Sequence, residues 1–197
     1  MALFRAYKKS TKPKLAISEN MSCADELCPN HPDLLLLRDA AADERNAIAF
    51  YLEASRTSCL PHLFLDVAED EMHHYVEIMR EVSRLDPVQA QMFSEEELDI
   101  LLMTRPKPKT KAAILKESNS PVVPPDRKDM PTIILATKAL HDELQATNKY
   151  QRYMETAEDR DVQLLFCHLM NEEKEHIAEF TAALFALTHE PIPPEDD

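Results

Sequence analysis

The amino-acid sequence predicts an all-α protein, in which four long helices form a bundle of two antiparallel hairpins joined by a long crossover. Three observations lead to this prediction. The 197 residues include no Gly, the residue that the tight turns of β-hairpins favour because they need positive φ. Four amphipathic runs of helical period follow one another along the chain. Short turns join the first run to the second and the third to the fourth, whereas a long segment separates the second from the third.

The first hairpin is predicted over residues 32–85, after an N-terminal arm or tail at 1–30 that lacks sustained periodicity. Its first helix is predicted to open at His31-Pro32-Asp33, with Pro32 in the first turn and the Asp33 carboxylate beside the positive end of the helix, and to run to about Thr57. The second helix starts after Ser58, with Pro61 in the first turn, where proline is tolerated. Since so few residues join these two helices, they must be antiparallel neighbours.

The crossover is predicted over residues 86–130 and the second hairpin over 131–188. One short helix is expected inside the crossover at 94–98, where the spacing of Ser and Glu is that of a capping box. Several prolines follow it, and so long a connection fits a compact domain if it carries the chain from one end of the bundle to the other. The whole bundle is expected to span residues 31–190, followed by an acidic, proline-rich tail at 191–197.

The two hairpins repeat one set of acidic and histidine residues. Each has a lone Glu on its first helix and a Glu-x-x-His motif on its second. The residues are Glu44, Glu71 and His74 in the first hairpin, and Glu143, Glu173 and His176 in the second. This set, one Glu from each of two helices and Glu-x-x-His from each of two others, holds a pair of metal ions in helical bundles. The sequence therefore predicts a dinuclear metal site.

The faces of the helices support this set. Glu44 lies on an apolar stripe of the first helix, Glu143 on one of the third, and Glu173 with His176 on one of the fourth. The second helix offers two registers, Asp70-x-x-His73 and Glu71-x-x-His74, of which the second shares its face with apolar residues. Four carboxylates inside apolar stripes would be costly to bury alone. Two divalent ions balance their charge, because four Glu and two neutral His give −4 against +4.

Further side chains are expected around this site. Tyr51 and Tyr150 lie two turns beyond the lone Glu of each hairpin, and core packing, a hydrogen bond to a ligand and an electron-donating role all remain open for them. Asp70 and Glu172 precede the Glu of each motif and either orient the ligand histidines or face water. The other histidines are interpreted as ordinary residues: His62, His73, His141, His168 and His189.

Composition excludes several classes of function. The formal net charge of −14 argues against nucleic acid and anionic membranes as partners. The sequence shows no signal peptide and no run of membrane-spanning length, so we expect a cytoplasmic protein. Its four cysteines suit a reducing compartment. Cys23 and Cys28, with His31 nearby, could bind zinc, but without a second pair ordinary thiols in a tail are favoured.

The motifs also resemble a known family. DERNAIAFYLEA with VAEDEMHHYVEIM resembles the helix pair of rubrerythrins, and DELQATNKY with NEEKEHIAEF is similar to encapsulated ferritins. The resemblance implies a ferritin-like four-helix bundle, a di-iron carboxylate site and the same six ligands. Rubrerythrins commonly carry a rubredoxin module with two Cys-x-x-Cys pairs, which this sequence lacks, and this leaves room for an external electron donor.

The predicted function is that of an oxidoreductase of ferroxidase or peroxidase type, in which two iron ions react with O2 or H2O2. Glu71 and Glu173 would bridge the ions, and the remaining four residues would cap them. A manganese catalase-like enzyme, with two Mn or a mixed Fe/Mn pair, is an alternative, since carboxylate and imidazole suit both metals. A non-catalytic iron-binding or storage protein, a helical interaction protein with a vestigial site, and a homodimer remain open.

Overall fold

In the computed structural model, residues 31–98 and 130–188 are described, and within these ranges the protein is all-helical, without strands. Of the five helices in these two ranges, four are long and one is short. They are α1 (Asp33–Thr57), α2 (Pro61–Leu85), α3 (Pro87–Glu95), α4 (Met130–Thr156) and α5 (Arg160–Thr188). The first pair of long helices spans 33–85 and the second 130–188, within about a residue of the hairpin bounds predicted at 32–85 and 131–188.

The short helix differs from its prediction. It was expected at 94–98, whereas α3 ends at Glu95 and the chain turns after it. The reason is a stronger start upstream: the Asp86 side chain accepts hydrogen bonds from the backbone N–H groups of Val88 and Gln89, and Pro87 occupies the first turn. An Asp cap followed by proline is a better helix start than a Ser whose following residues must turn.

The long helices pack mainly as two antiparallel pairs, α1 with α2 and α4 with α5. The start of α2 lies beside the start of α4, because the Cys59 backbone N–H donates to Thr132 Oγ1 at 2.9 Å. The start of α1 lies beside the turn before α5, where the buried Asp33 carboxylate accepts N–H groups from Glu158 at 3.0 Å and Asp159 at 2.8 Å. Helices α2 and α4 are therefore parallel, and the end of α2 lies at the opposite end of the helix pairs from the start of α4.

The core consists of two apolar layers, and all four long helices contribute to both. One layer includes Leu37, Ile78, Tyr150, Phe166 and Leu169. The other includes Tyr51, Phe64, Val67, Ala136 and Phe180. Along every long helix the predicted ligand residues fall between its contributions to these two layers. The fold thus places the six polar side chains between two apolar layers.

Some predictions lie outside the described residues. These are the N-terminal arm at 1–30 with Cys23 and Cys28, most of the crossover, His189 and the tail at 191–197. None of the helices in the described ranges combines the length and the hydropathy needed to cross a membrane.

Candidate metal centre

The six predicted ligands converge on one buried point. Every one of them is at most 3% exposed: Glu44, Glu71, His74, Glu143, Glu173 and His176. The choice of register on α2 agrees with the structure, because Glu71 and His74 are buried whereas Asp70 and His73 are partly exposed. The apolar stripe thus distinguished the two overlapping motifs correctly, as expected when one face of a helix is covered.

The six side chains form two overlapping groups. Site A comprises Glu44, Glu71, His74 and Glu173, and site B comprises Glu71, Glu143, Glu173 and His176. In each site, one ligand atom from every residue lies within 4.8 Å of the others. The two sites share Glu71 and Glu173 and no other residue, so these two carboxylates are placed to bridge a pair of ions.

The shared carboxylates divide their oxygens between the sites. In site A, His74 Nδ1 lies 3.0 Å from Glu71 Oε2 and 3.4 Å from Glu173 Oε1. In site B, His176 Nδ1 lies 3.7 Å from Glu71 Oε1 and 3.1 Å from Glu173 Oε2. Each shared carboxylate therefore turns one oxygen to each histidine, which is the arrangement that a bridging carboxylate requires.

The outer nitrogen of each histidine faces a carboxylate of the opposite hairpin. His74 Nε2 lies 3.0 Å from Glu172 Oε2, and His176 Nε2 lies 3.8 Å from Asp70 Oδ2. Both carboxylates were expected either to orient the histidines or to face water. In the structure each of them faces a histidine nitrogen and is also partly exposed. A carboxylate on one imidazole nitrogen fixes the ring and makes the other nitrogen the metal ligand.

The two tyrosines cross between the hairpins. Tyr51 on α1 donates a hydrogen bond to Glu143 on α4, and Tyr150 on α4 donates to Glu44 on α1. Both rings are buried and each stacks on a Phe of α5, Phe180 for Tyr51 and Phe166 for Tyr150. Core packing and hydrogen bonding, two of the roles left open by the sequence, thus occur together. Each phenol fixes the end carboxylate of one site.

Without metal, the site retains protons. Burial raises the pKa of the Glu44 and Glu143 carboxyls well above the usual range, and the charge of the neighbouring Glu71 adds to it. Burial lowers the pKa of both histidines, but their hydrogen bonds to carboxylates outweigh this and raise it well above the usual value. For Glu173, burial is outweighed by hydrogen bonds from both imidazoles, which hold its pKa below the usual range. These shifts favour the protonated forms of the Glu44 and Glu143 carboxyls and of both imidazoles when no cation is bound.

A cavity of about 650 Å³ opens onto this layer from between α1 and α4. We call it the α1–α4 cleft. It is lined by Asp43, Glu44, Asn46, Ala47, Phe50, Tyr51, Glu71, Lys138, Asp142, Glu143, Gln145, Ala146, Asn148, Lys149, Tyr150, Arg152 and Glu173. All four predicted Glu ligands line the cleft, whereas neither ligand histidine does. The histidines and their outer carboxylates lie instead between α2 and α5.

Sequence reasoning missed the side chains that join α1 to α4 around this cleft. Lys149 pairs with Asp43 and with Asp39, the latter at 2.7 Å, and Tyr153 also donates to Asp39. Elsewhere along the cleft, the Lys138 ammonium lies 3.8 Å from the centroid of the Phe50 ring. Asp39, Asp43 and Lys138 are exposed, and no local pattern in the sequence distinguishes them from ordinary solvated charges.

Two of the histidines interpreted as ordinary contact residues other than the six ligands. His168, for example, is exposed and lies 3.5 Å from Glu77 and 3.7 Å from Glu172. His141 contacts Gln145 on the surface of α4.

No protein-family model, curated protein or solved structure matches this chain. The likeness to rubrerythrins and encapsulated ferritins therefore stays a prediction from the motifs.

Proposed function

We propose that this protein is a ferritin-like four-helix bundle that binds two iron ions and acts as an oxidoreductase on H2O2 or O2. The observation that carries the proposal is the division of oxygens by Glu71 and Glu173 between two histidine-capped sites. A buried ion pair can form without a carboxylate that turns one oxygen to each of two sites. Two cations held side by side by shared carboxylates require this arrangement.

The donor set supports a pair of divalent ions. Each site offers three carboxylates and one imidazole nitrogen, a hard oxygen-rich set that suits iron or manganese better than a thiolate-preferring ion. Four carboxylates bring −4 into a layer that is almost fully buried. Isolated buried carboxylates would be very costly, and two divalent ions make the layer neutral. In the metal-free protein, the raised pKa values of Glu44, Glu143 and both histidines favour the protonated forms, which lower the negative charge of the layer.

When bound, an iron pair supplies two electrons, one from each ion, which together with two protons reduce H2O2 to two water molecules. The residues of the chain would position the two ions. The shared carboxylates fix the two sites side by side, while the phenols of Tyr51 and Tyr150 hold the end carboxylates. Burial raises the pKa of both phenols, so they remain neutral O–H donors across the physiological range.

Metal analysis tests the binding half of the proposal. Protein purified without oxygen is expected to carry about two iron ions per chain. Glu71→Ala should lose both ions, because Glu71 belongs to both sites, whereas Glu44→Ala should lose the ion of site A alone. Glu69→Ala is the matched control, since Glu69 is exposed on the same helix. Full metal content in Glu71→Ala would refute the proposed site.

Rapid mixing with H2O2 and with O2 tests the chemical half. We expect oxidation of the reduced iron protein and repeated turnover when an external reductant is supplied. A single oxidation without a second cycle would show a binding or storage protein instead. Manganese as the native metal, with O2 released from H2O2 and no reductant consumed, would show a catalase-like enzyme. His74→Ala should abolish turnover. His73→Ala, at the partly exposed neighbouring histidine, is the control and should retain turnover.

A further inference from the structure

The α1–α4 cleft is much larger than the proposed oxidants require. A water-sized molecule takes on the order of ~30 Å³, whereas the cleft holds about 650 Å³. Even with two ions at its inner end, most of this volume remains. Binding sites for small organic molecules typically measure roughly 300–1,000 Å³, and the cleft falls within that range.

The cleft reaches the metal layer from the side that the histidines leave open. Its inner end is formed by the four carboxylates of the two sites. Above them, Ala47 and Ala146 occupy equivalent positions on α1 and α4, and both are only partly buried. Methyl groups at these positions leave the space between the helices open, where larger side chains would fill it. A molecule in the cleft would therefore lie directly against the metal pair.

The walls combine apolar surface with cationic and amide groups. Phe50, Tyr51 and Tyr150 supply aromatic surface, and Asn46 and Gln145 supply amides. Lys138 and Lys149 are already paired with aspartates. Arg152 is different, because its guanidinium forms no ion pair with any residue in the described ranges. A guanidinium without a carboxylate partner is suited to bind one in bidentate geometry.

We propose that the α1–α4 cleft binds a small organic carboxylate beside the metal pair, with its acid group on Arg152 and its body between Ala47 and Ala146. This inference rests on the proposed function, since the metal pair is what the bound molecule would face. It extends that function from small oxidants to a second, organic ligand.

Calorimetric titration of the full-length protein with benzoate and with hexanoate tests the inference, with benzyl alcohol as a neutral molecule of similar size. Both acids are expected to bind one per chain, and benzyl alcohol at least tenfold more weakly. Arg152→Gln should weaken the binding of both acids about tenfold. Arg160→Gln, at an exposed arginine outside the cleft, should leave it unchanged.

Ala146→Leu should abolish acid binding by filling the cleft, and Ala49→Leu, at an exposed alanine of α1, controls for the added side chain. The inference is overturned if neither acid binds, if the Arg152 and Ala146 variants bind as the wild type does, or if benzyl alcohol binds equally well. A dimer in which a second chain closes the cleft would overturn it too.

The titrations are run on metal-free and on metal-loaded protein. Acid binding to a chain that fails to take up metal would refute the proposed function but not the cleft site. Normal metal content without acid binding would refute the cleft site alone.

Discussion

Replacing Tyr150 by Phe should damage one metal site and spare the other. The Tyr150 phenol is buried and donates to Glu44, which belongs to site A only. Removing the hydroxyl takes the donor away from an oxygen of Glu44, a residue that is only 2% exposed. A buried polar atom left without its partner costs about 1–3 kcal/mol.

This magnitude predicts two measurable losses. The free energy of unfolding of Tyr150→Phe, from urea denaturation of the metal-free protein, should fall by about 1–3 kcal/mol. At roughly 2–4 °C per kcal/mol for a chain of this size, Tm should fall by several degrees. The affinity of site A for metal should fall about 10–100-fold, the usual effect of removing a group that orients a ligand.

The crossed arrangement makes the prediction specific to one site. In a His176→Ala background, where site A alone keeps its histidine, Tyr150→Phe should weaken the remaining site and Tyr51→Phe should not. Tyr153→Phe is the control, because Tyr153 donates to Asp39 at the surface rather than to a ligand. Equal effects of the Tyr51 and Tyr150 variants, or none from either, would refute the assignment of one phenol to each site.

Three other predictions follow from contacts described above. The metal-free protein should lose stability as pH rises from about 5 to 8. The pKa values of both site histidines and of the Glu44 and Glu143 carboxyls are raised in the folded state. The folded state therefore keeps protons that the unfolded chain releases. Each proton that only the folded state retains lowers the free energy of unfolding by ~1.4 kcal/mol per pH unit. Thermal denaturation with and without metal should show this loss only in the metal-free protein. A Tm of the metal-free protein that does not change with pH would contradict the raised pKa values. Glu172→Gln should weaken metal binding at site A about 10–100-fold, because Glu172 contacts the outer nitrogen of His74. Glu175→Gln, at an exposed residue of the same helix, should leave the affinity unchanged in a metal titration. Asp33→Ala should lower the free energy of unfolding by about 1–3 kcal/mol in urea, since it removes the buried carboxylate that accepts two backbone N–H groups of the turn before α5. A loss no larger than that of the exposed Asp161→Ala would show that this contact contributes little.

Much of the fold followed from the sequence because its determinants are local. Proline and aspartate at helix starts, together with apolar stripes, located the long helices closely. The same stripes separated Glu71 from the adjacent Asp70, since a shift of one residue rotates a side chain by about 100° around the helix. The short helix α3 was placed wrongly because the Asp86 cap and a downstream capping box compete, and local pattern alone did not rank them.

The contacts between hairpins could not be predicted in the same way. The sequence put Tyr51 and Tyr150 on the ligand faces, but only the antiparallel packing of α1 against α4 brings each phenol to the other hairpin's Glu. The ion pairs of Lys149 and the cleft beneath it depend on the distance between two helices that are remote in sequence. No periodicity within either helix encodes that distance.

The division of each metal site between the hairpins has a consequence for biosynthesis. Site A takes Glu173 from α5 and its other ligands from α1 and α2, and site B takes Glu71 from α2 and its other ligands from α4 and α5. A ribosome-bound chain that has released only the first hairpin owns neither site. Under the proposed function, both ions could therefore bind only after α5 emerges and the two hairpins pack together, so the unfinished polypeptide would not hold redox-active iron.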